Sequence, residues 1–338
     1  MLVSAIKYIN WRFQTIAKLT LVLRVWLSFS AQRYILLWVL LELNFLSFIA
    51  ILTKSTVFKV SNKTLNYFLV QSVGRGLILI VIFMLLLCSS NSTLFTIYFL
   101  ALLLKLGGAP FHAWYLSLVQ KLSWFLIWVL SIWQKLIPLL IIRKPRFILL
   151  IVSRVARVGV RSLARLSQKS IKKILGLSSI FSLGWVLVSL DLRDSIWFQF
   201  MVGYGARLLV LVARVKISSH RISQDFNKRL KRTNLIMFIL GVLMLRGIPP
   251  FIGFFLKLLI LFYLIQKRIF LSLMFLVFSL LFIFVYLNIA FLLFTFVAKT
   301  FSWRGLLVRG EAWRLDLVVW NLGLRLLFFI AQCNLLHK

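Results

Sequence analysis

Acid is the scarcest chemistry in this sequence. Six of its 338 residues are Asp or Glu, against 41 Lys and Arg, which leaves a formal net charge of +35. Sulfur and imidazole are nearly as rare: two cysteines, Cys88 and Cys333, and three scattered histidines, His112, His220 and His337. Two thiols cannot hold an iron–sulfur cluster, which takes four ligands, and the histidines show no metal-site spacing. No Walker or dinucleotide-binding glycine pattern occurs. The chain itself is therefore expected to hold no NADH, ATP, haem or metal. In a soluble protein so much positive charge would suggest nucleic acid. Here strongly apolar stretches separate the basic clusters, which argues against a nucleic-acid partner. The charge instead reads as positive-inside loops in contact with anionic phospholipid such as cardiolipin, with acidic partner subunits as the sharper alternative.

What the chain has in abundance is apolar length. Hydrophobic residues make up 62% of it and mean hydropathy is +1.01. A membrane-spanning helix needs roughly 20 apolar residues, so the chain can hold about ten or eleven. The fold class expected is all-α, a polytopic transmembrane helical bundle forming one domain over 1–338. Its first half covers about 34–142 and its second about 147–298. The first 33 residues are basic, aromatic and free of acid, which resembles a mitochondrial targeting segment. The expectation is that they are retained as an interfacial helix leading into the first span.

Spans are expected at 17–31, 34–53 and 65–88, the last carrying Arg75 near its start. A broken helix follows at 93–120 and a further span at 122–142. Phe147 to Leu166 carries Arg154, Arg157, Arg161 and Arg165 at spacings of three and four, one helical stripe. The stripe reads as snorkelling or a subunit contact rather than a voltage sensor, which repeats arginine at every third position. Later spans are expected at 172–190 and 195–213, then a solvated basic loop at 214–233. A second broken span follows at 235–265, a long span at 270–298 and a last one at 317–332.

The stretch from Leu104 to His112 is the most informative. It sets Lys105 at the end of an apolar run and then breaks the run with Gly107, Gly108, Ala109 and Pro110. A charge inside a membrane helix is costly and usually faces protein or water. Proline lacks the backbone donor and glycine lets the chain swing, so the helix opens there. Arg246-Gly247-Ile248-Pro249-Pro250-Phe251 repeats the theme in the second half, with Lys257 beyond it. Paired interrupted helices are the sequence trace of inverted-repeat transporters.

Lys105, Lys135 and Lys257 each sit in an apolar span near proline or glycine. Burial disfavours the charged form of an amine, and a mobile carboxylate nearby would make it a proton gate. Glu42 is the only acid before Asp191, central in its span. His112 follows the first break and could cap or hydrate it as a proton relay. The plain alternative is that each lysine only snorkels from a helix end. Trp114, Trp124, Trp128 and Trp133 read as interface or packing aromatics.

Several runs taken together resemble a known family. They are Trp38-Val39-Leu40-Leu41-Glu42-Leu43-Asn44, Asn66-Tyr67-Phe68-Leu69-Val70-Gln71, Leu104 through Trp114, Trp133-Gln134-Lys135, Ile171 through Ile180 with Leu183-Gly184-Trp185, and Gly247 through Lys257. Their order and spacing over about 34–260 are similar to the subunit 2 family of NADH dehydrogenase (ubiquinone), antiporter-like membrane subunits of mitochondrial respiratory complex I. The resemblance implies a multi-pass protein of the mitochondrial inner membrane. It would be part of a proton-translocating NADH:ubiquinone oxidoreductase without doing redox chemistry itself. NADH, FMN, iron–sulfur clusters and ubiquinone would lie in other subunits, and neighbouring antiporter-like subunits would be partners. Glu42 and Lys105 would form the charge pair of the first half-channel, Lys135 would be the central lysine, and Lys257 would serve the second half-channel. The short length fits the mitochondrial form in animals, which has lost early helices. The arginine stripe departs from a normally apolar region. Two readings compete with this one: a free-standing Na⁺/H⁺ exchanger, and a purely structural subunit whose lysines only pack.

Overall fold

The computed structural model describes residues 2–31, 33–54, 61–87, 92–142, 171–192, 196–222, 241, 243–245, 247 and 252–299. The Arg154–Arg165 stripe, Arg246, Pro249, Pro250 and the expected span at 317–332 lie outside the described residues. Among the described residues there is helix and turn but no strand. The chain divides into two compact units, 1–197 and 198–338.

In the first unit, α1 runs Leu2–Ser30 and α2 Tyr34–Lys54. α1 is one continuous helix of 29 residues, which replaces the expected interfacial segment followed by a separate span. No proline or glycine interrupts 2–30, and its Lys and Arg residues are good helix formers. α2 matches its expected span to within a residue, because an apolar run is bounded by Arg33 and Lys54. α3 covers Ser61–Leu87. It starts four residues before the expected 65, so Arg75 falls at the middle of the helix instead of near its start.

α4 (Ser92–Leu106) and α5 (Ala113–Val119) are the two parts of the first broken helix. Then α6 (Trp124–Trp128), a π-turn (Val129–Trp133) and α7 (Gln134–Ile141) form one rod with an over-wide turn at its centre. Such π-turns concentrate at functional sites, and Lys135 stands just beyond this one. α8 (Ile171–Leu192) closes the unit.

A buried cluster from α1, α2, α3, α5 and the α6–π-turn rod holds these helices together, including Leu21, Phe48, Tyr67, Tyr115 and Ile127. Trp114, Trp124, Trp128 and Trp133 pack against it, which makes them packing aromatics. The Trp133 indole also donates to the Leu21 carbonyl at 3.0 Å, tying the π-turn to α1.

The second unit holds α9 (Ile196–Ile222) from its third residue on, α10 (Ile252–Lys267) and α11 (Ile269–Lys299). α9 carries on through the first nine residues of the expected loop at 214–233. That stretch contains no proline or glycine, and its basic residues favour helix. α11 matches the long span expected at 270–298.

Five helical stretches among the described residues are long and apolar enough to cross a membrane: 34–52, 64–85, 124–141, 172–190 and 196–213. Their outer faces are apolar, with Leu69, Val73, Ile80, Phe83 and Val202 more than a third exposed. Helices satisfy their own backbone polar groups, so faces of this kind suit hydrocarbon as they would not suit water.

Candidate functional site at the first helix break

The break begins with a glycine. Gly107 has φ +64, and its amide donates to the Leu104 carbonyl at 3.3 Å, while the Gly108 amide donates to Leu103 at 3.0 Å. These two bonds are a Schellman ending, which needs a left-handed residue that only glycine adopts at no steric cost. A β-carbon on Gly107 would also lie 3.0 Å from Tyr115 Cβ. The helix is therefore already closed before Pro110 is reached, and Pro110 lies in the following turn. His112 is the residue before α5 and serves it through its backbone, its carbonyl accepting from Leu116. Its ring Nδ1 lies 3.1 Å from the Pro110 carbonyl.

Opening a helix frees carbonyls, and in this fold side chains from neighbouring segments take them up. The Trp114 indole donates to Leu104 at 3.2 Å and the Gln71 amide to the Lys105 carbonyl at 3.1 Å. Gln71 thus ties α3 to the last turn of α4, at the residue whose side chain is the buried amine.

Lys105 and Lys135 are both buried, 6% and 3% exposed. They line one small cavity of about 20 Å³ together with Asn44, Tyr67, Gln71, Trp114, Tyr115 and Gln134. That is room for about one water molecule, among enough polar groups to hold it. Lys135 Nζ donates to the Ser179 carbonyl at 3.2 Å and lies 5.0 Å from the Tyr115 ring centroid, a cation–π contact. Tyr115 Oη is 2.9 Å from Ser131 Oγ and accepts from Ser179 Oγ at 2.6 Å. Across the cavity, Asn44 Nδ2 donates to Gln134 Oε1 at 3.0 Å, linking α2 to the residue before Lys135. Lys105 Nζ has no hydrogen-bond partner among the described residues.

Glu42 forms an ion pair, but its partner is Arg75 Nη1 and not the expected Lys105. The middle of α3 faces the middle of α2, and a guanidinium reaches the carboxylate there. Glu42 Oε2 is buried with no hydrogen-bond partner among the described residues. The sequence shows the arginine as a charge in the span at 65–88, but its pairing depends on how two helices dock. Asn44, Gln71 and Gln134 were also passed over as site residues. The signal for them was available, since each is an amide inside an apolar span within four residues of a site charge.

In the second unit, Lys257 is buried on α10. Gly247 has φ +66, and its amide donates to the Met244 carbonyl at 3.3 Å. Gly247 thus shares with Gly107 the left-handed φ and the bond to the carbonyl three residues back. Arg207 on α9 donates through Nε to its own helix at Gly203, 2.8 Å, and through Nη1 to Met244 at 3.4 Å. It props the second break as Gln71 props the first. Among the described residues no group of His, Cys, Asp and Glu could hold a metal ion.

Comparison with known proteins agrees with this architecture. The family described as NADH:quinone oxidoreductase/Mrp antiporter, transmembrane, matches residues 31–283. NADH-ubiquinone oxidoreductase chain 2 of Anopheles gambiae is 31% identical over 238 residues, 67% of this chain and 70% of its own length. The Lumbricus terrestris protein of that name is 30% identical over 280 residues, 77% of this chain and 81% of its own. Among solved structures, a chain of respiratory complex I from Thermus thermophilus with bound aureothin superposes with a TM-score of 0.67 at 20% identity. That match covers 82% of this chain and 70% of the other. A chain of the Mrp complex from Dietzia sp. superposes at 0.61 and 17% identity, over 75% of this chain and 55% of its own. The two solved structures share the fold, and the sequence match carries the kinship: this chain belongs to the NADH:quinone oxidoreductase/Mrp antiporter transmembrane family.

Proposed function

We propose that this chain is a proton-translocating, antiporter-like membrane subunit of respiratory complex I, multi-pass in the mitochondrial inner membrane. Its immediate partners are other membrane-arm subunits, with anionic phospholipid such as cardiolipin around the basic segments. Electron transfer from NADH to ubiquinone runs in other subunits, which hold the NADH, FMN, clusters and quinone. This chain contributes groups that hold and pass protons.

The observation that carries the reading is the pair of buried lysines on one polar cavity. Lys105 stands at an opened helix end and Lys135 just past a π-turn, and both reach the same water-sized space. An amine there takes a proton from a hydronium that reaches the cavity, which is left as water, and passes it on to the next water to enter, while Asn44, Gln71 and Gln134 orient the water in the cavity. Glu42 supplies the balancing negative charge. Lys257 plays the corresponding part in the second unit. The first break, closed at Gly107 and Gly108 with Pro110 in the turn beyond, gives Lys105 and Lys135 their access, and the sequence assigns Pro249 and Pro250, outside the described residues, the same part for Lys257. His112, at the entrance to α5, acts as a relay.

The test separates charge from proton exchange. Lys135→Met removes both, whereas Lys135→Arg keeps a positive charge that cannot be given up as a proton. In assembled, NADH-oxidising complex reconstituted in vesicles, both substitutions are expected to abolish the protons moved through this subunit per NADH. A Lys135→Arg complex that pumps normally would sink the reading.

A further inference from the structure

The Glu42–Arg75 ion pair is the one feature of the site that the proton-holding lysines do not account for. Arg75 is held from several directions. Nη1 meets Glu42 Oε1, Nε donates to the Gln71 carbonyl at 3.3 Å, and the guanidinium lies 4.1 Å from the Phe45 ring centroid. Its own carbonyl accepts from the Trp38 indole at 3.3 Å. Both partners are largely withdrawn, their side chains 12% exposed for Arg75 and 27% for Glu42. An arginine clamped in this way is not a snorkelling surface charge.

The same turn of α3 also holds Lys105. Gln71 donates to the Lys105 carbonyl, and a β-carbon on Gly74 would lie 3.0 Å from Lys105 Cγ. Residues 71–75 therefore grip the carboxylate with one residue and the lysine with two others. Two buried groups of the residues it holds have no partner among the described residues, Glu42 Oε2 and Lys105 Nζ, and they are not bonded to each other. One is an acceptor and the other a donor when protonated.

We propose that Arg75 is a positioning residue of the proton path: a permanent counter-ion that occupies half of the Glu42 carboxylate, keeps it ionised, and leaves Oε2 as the acceptor for the Lys105 ammonium. This rests on the function proposed above and assigns its division of labour. A guanidinium does not give up its proton in a protein, so Arg75 itself neither takes nor passes one. The proton is carried by Lys105 alone: an N–H bond forms on Nζ as an O–H bond of a hydronium reaching the cavity breaks and leaves water, and that N–H bond breaks as a later water takes the proton on and becomes hydronium. Glu42 remains a carboxylate throughout. The charge on Lys105 thus alternates beside a fixed pair, in place of a mobile Glu–Lys pair that opens and closes.

Infrared difference spectroscopy on the assembled complex reads this directly. The carboxylic-acid C=O stretch appears only where a carboxyl is protonated. Wild type minus Glu42→Gln is expected to show no such band during turnover. Arg75→Gln is expected to gain one that vanishes in the Glu42→Gln, Arg75→Gln double variant, and to slow pumping severalfold. Arg75→Lys, which keeps the charge, is expected to lack the band and recover much of the pumping. A protonated-carboxyl band in wild type that is lost in Glu42→Gln overturns the inference, because Glu42 would then carry the proton itself. So does an Arg75→Gln complex with unchanged pumping and no new band. If Arg75→Gln does not assemble, the wild-type and Glu42→Gln spectra still decide. The band reports the carboxylate and not pumping, so it decides even where Lys105→Met complexes pump normally. That last result would overturn the function proposed above instead.

Discussion

At the scale of single residues, the site depends on neutral amides as much as on charges. The Gln71 side chain donates to the Lys105 carbonyl, and the neighbouring carbonyls in the break are served by Gly107, Gly108 and Trp114. Within a membrane no bulk water replaces a lost donor. Gln71→Leu is therefore expected to destabilise the helix end by about 1–3 kcal/mol, the cost of an unpaired buried carbonyl. Gln71→Glu is expected to be worse for pumping, since it brings a second negative charge to Lys105 and a competitor for Arg75. Thermal inactivation of the assembled complex reads the first effect and proton flux per NADH the second. A Gln71→Leu complex as stable as wild type would mean that the carbonyl has another donor.

At the scale of elements, the break is a built turn rather than a loosened helix, and glycine position decides it. Gly107→Ala places a β-carbon on a residue at φ +64, 3.0 Å from Tyr115 Cβ. The strain is about 1–3 kcal/mol before any clash is counted, so weaker assembly is expected on native gels. Gly76 is the control. It lies inside α3, and a β-carbon there would meet nothing within 4 Å. Gly76→Ala is expected to be neutral or to stabilise by about 0.5–1 kcal/mol, through helix propensity alone. Equal loss from both substitutions would refute the turn as the source.

Elements also differ in how far the sequence revealed them. α2 and α11 are plain in it because their apolar runs end in charge. α1 is not, because basic residues distributed along 2–30 suggest an interfacial segment, while only proline or glycine would have stopped the helix. The π-turn at 129–133 leaves no composition trace, since its five residues would suit an ordinary helix equally well. At the site, Lys105 and Lys135 are legible as charges in apolar runs beside helix breakers. Arg75 is not, because Glu42 chooses its partner through the docking of α2 on α3, and helix-to-helix register is not written in any one segment.

At the scale of the whole molecule, two properties pull in one direction. A net charge of +35 sits on a chain with only six acids, and the described helices carry apolar faces on their outside. Like charges of this density repel unless something negative lies among them, and apolar faces need lipid or other helices. A free-standing exchanger would have to meet both needs with lipid alone, whereas a subunit meets them with its neighbours and the anionic lipid between them. Gentle solubilisation followed by native separation is therefore expected to place this chain in a large assembly that stains for NADH–quinone activity. Stripping anionic phospholipid from that assembly should lower its activity. Added cardiolipin should restore the loss, and phosphatidylcholine, which brings no net charge, should not. Migration alone, or with a small assembly that lacks NADH oxidation, would turn the reading toward ion exchange. The two lysines on the cavity would then have to be tested for sodium-coupled transport in vesicles holding this chain.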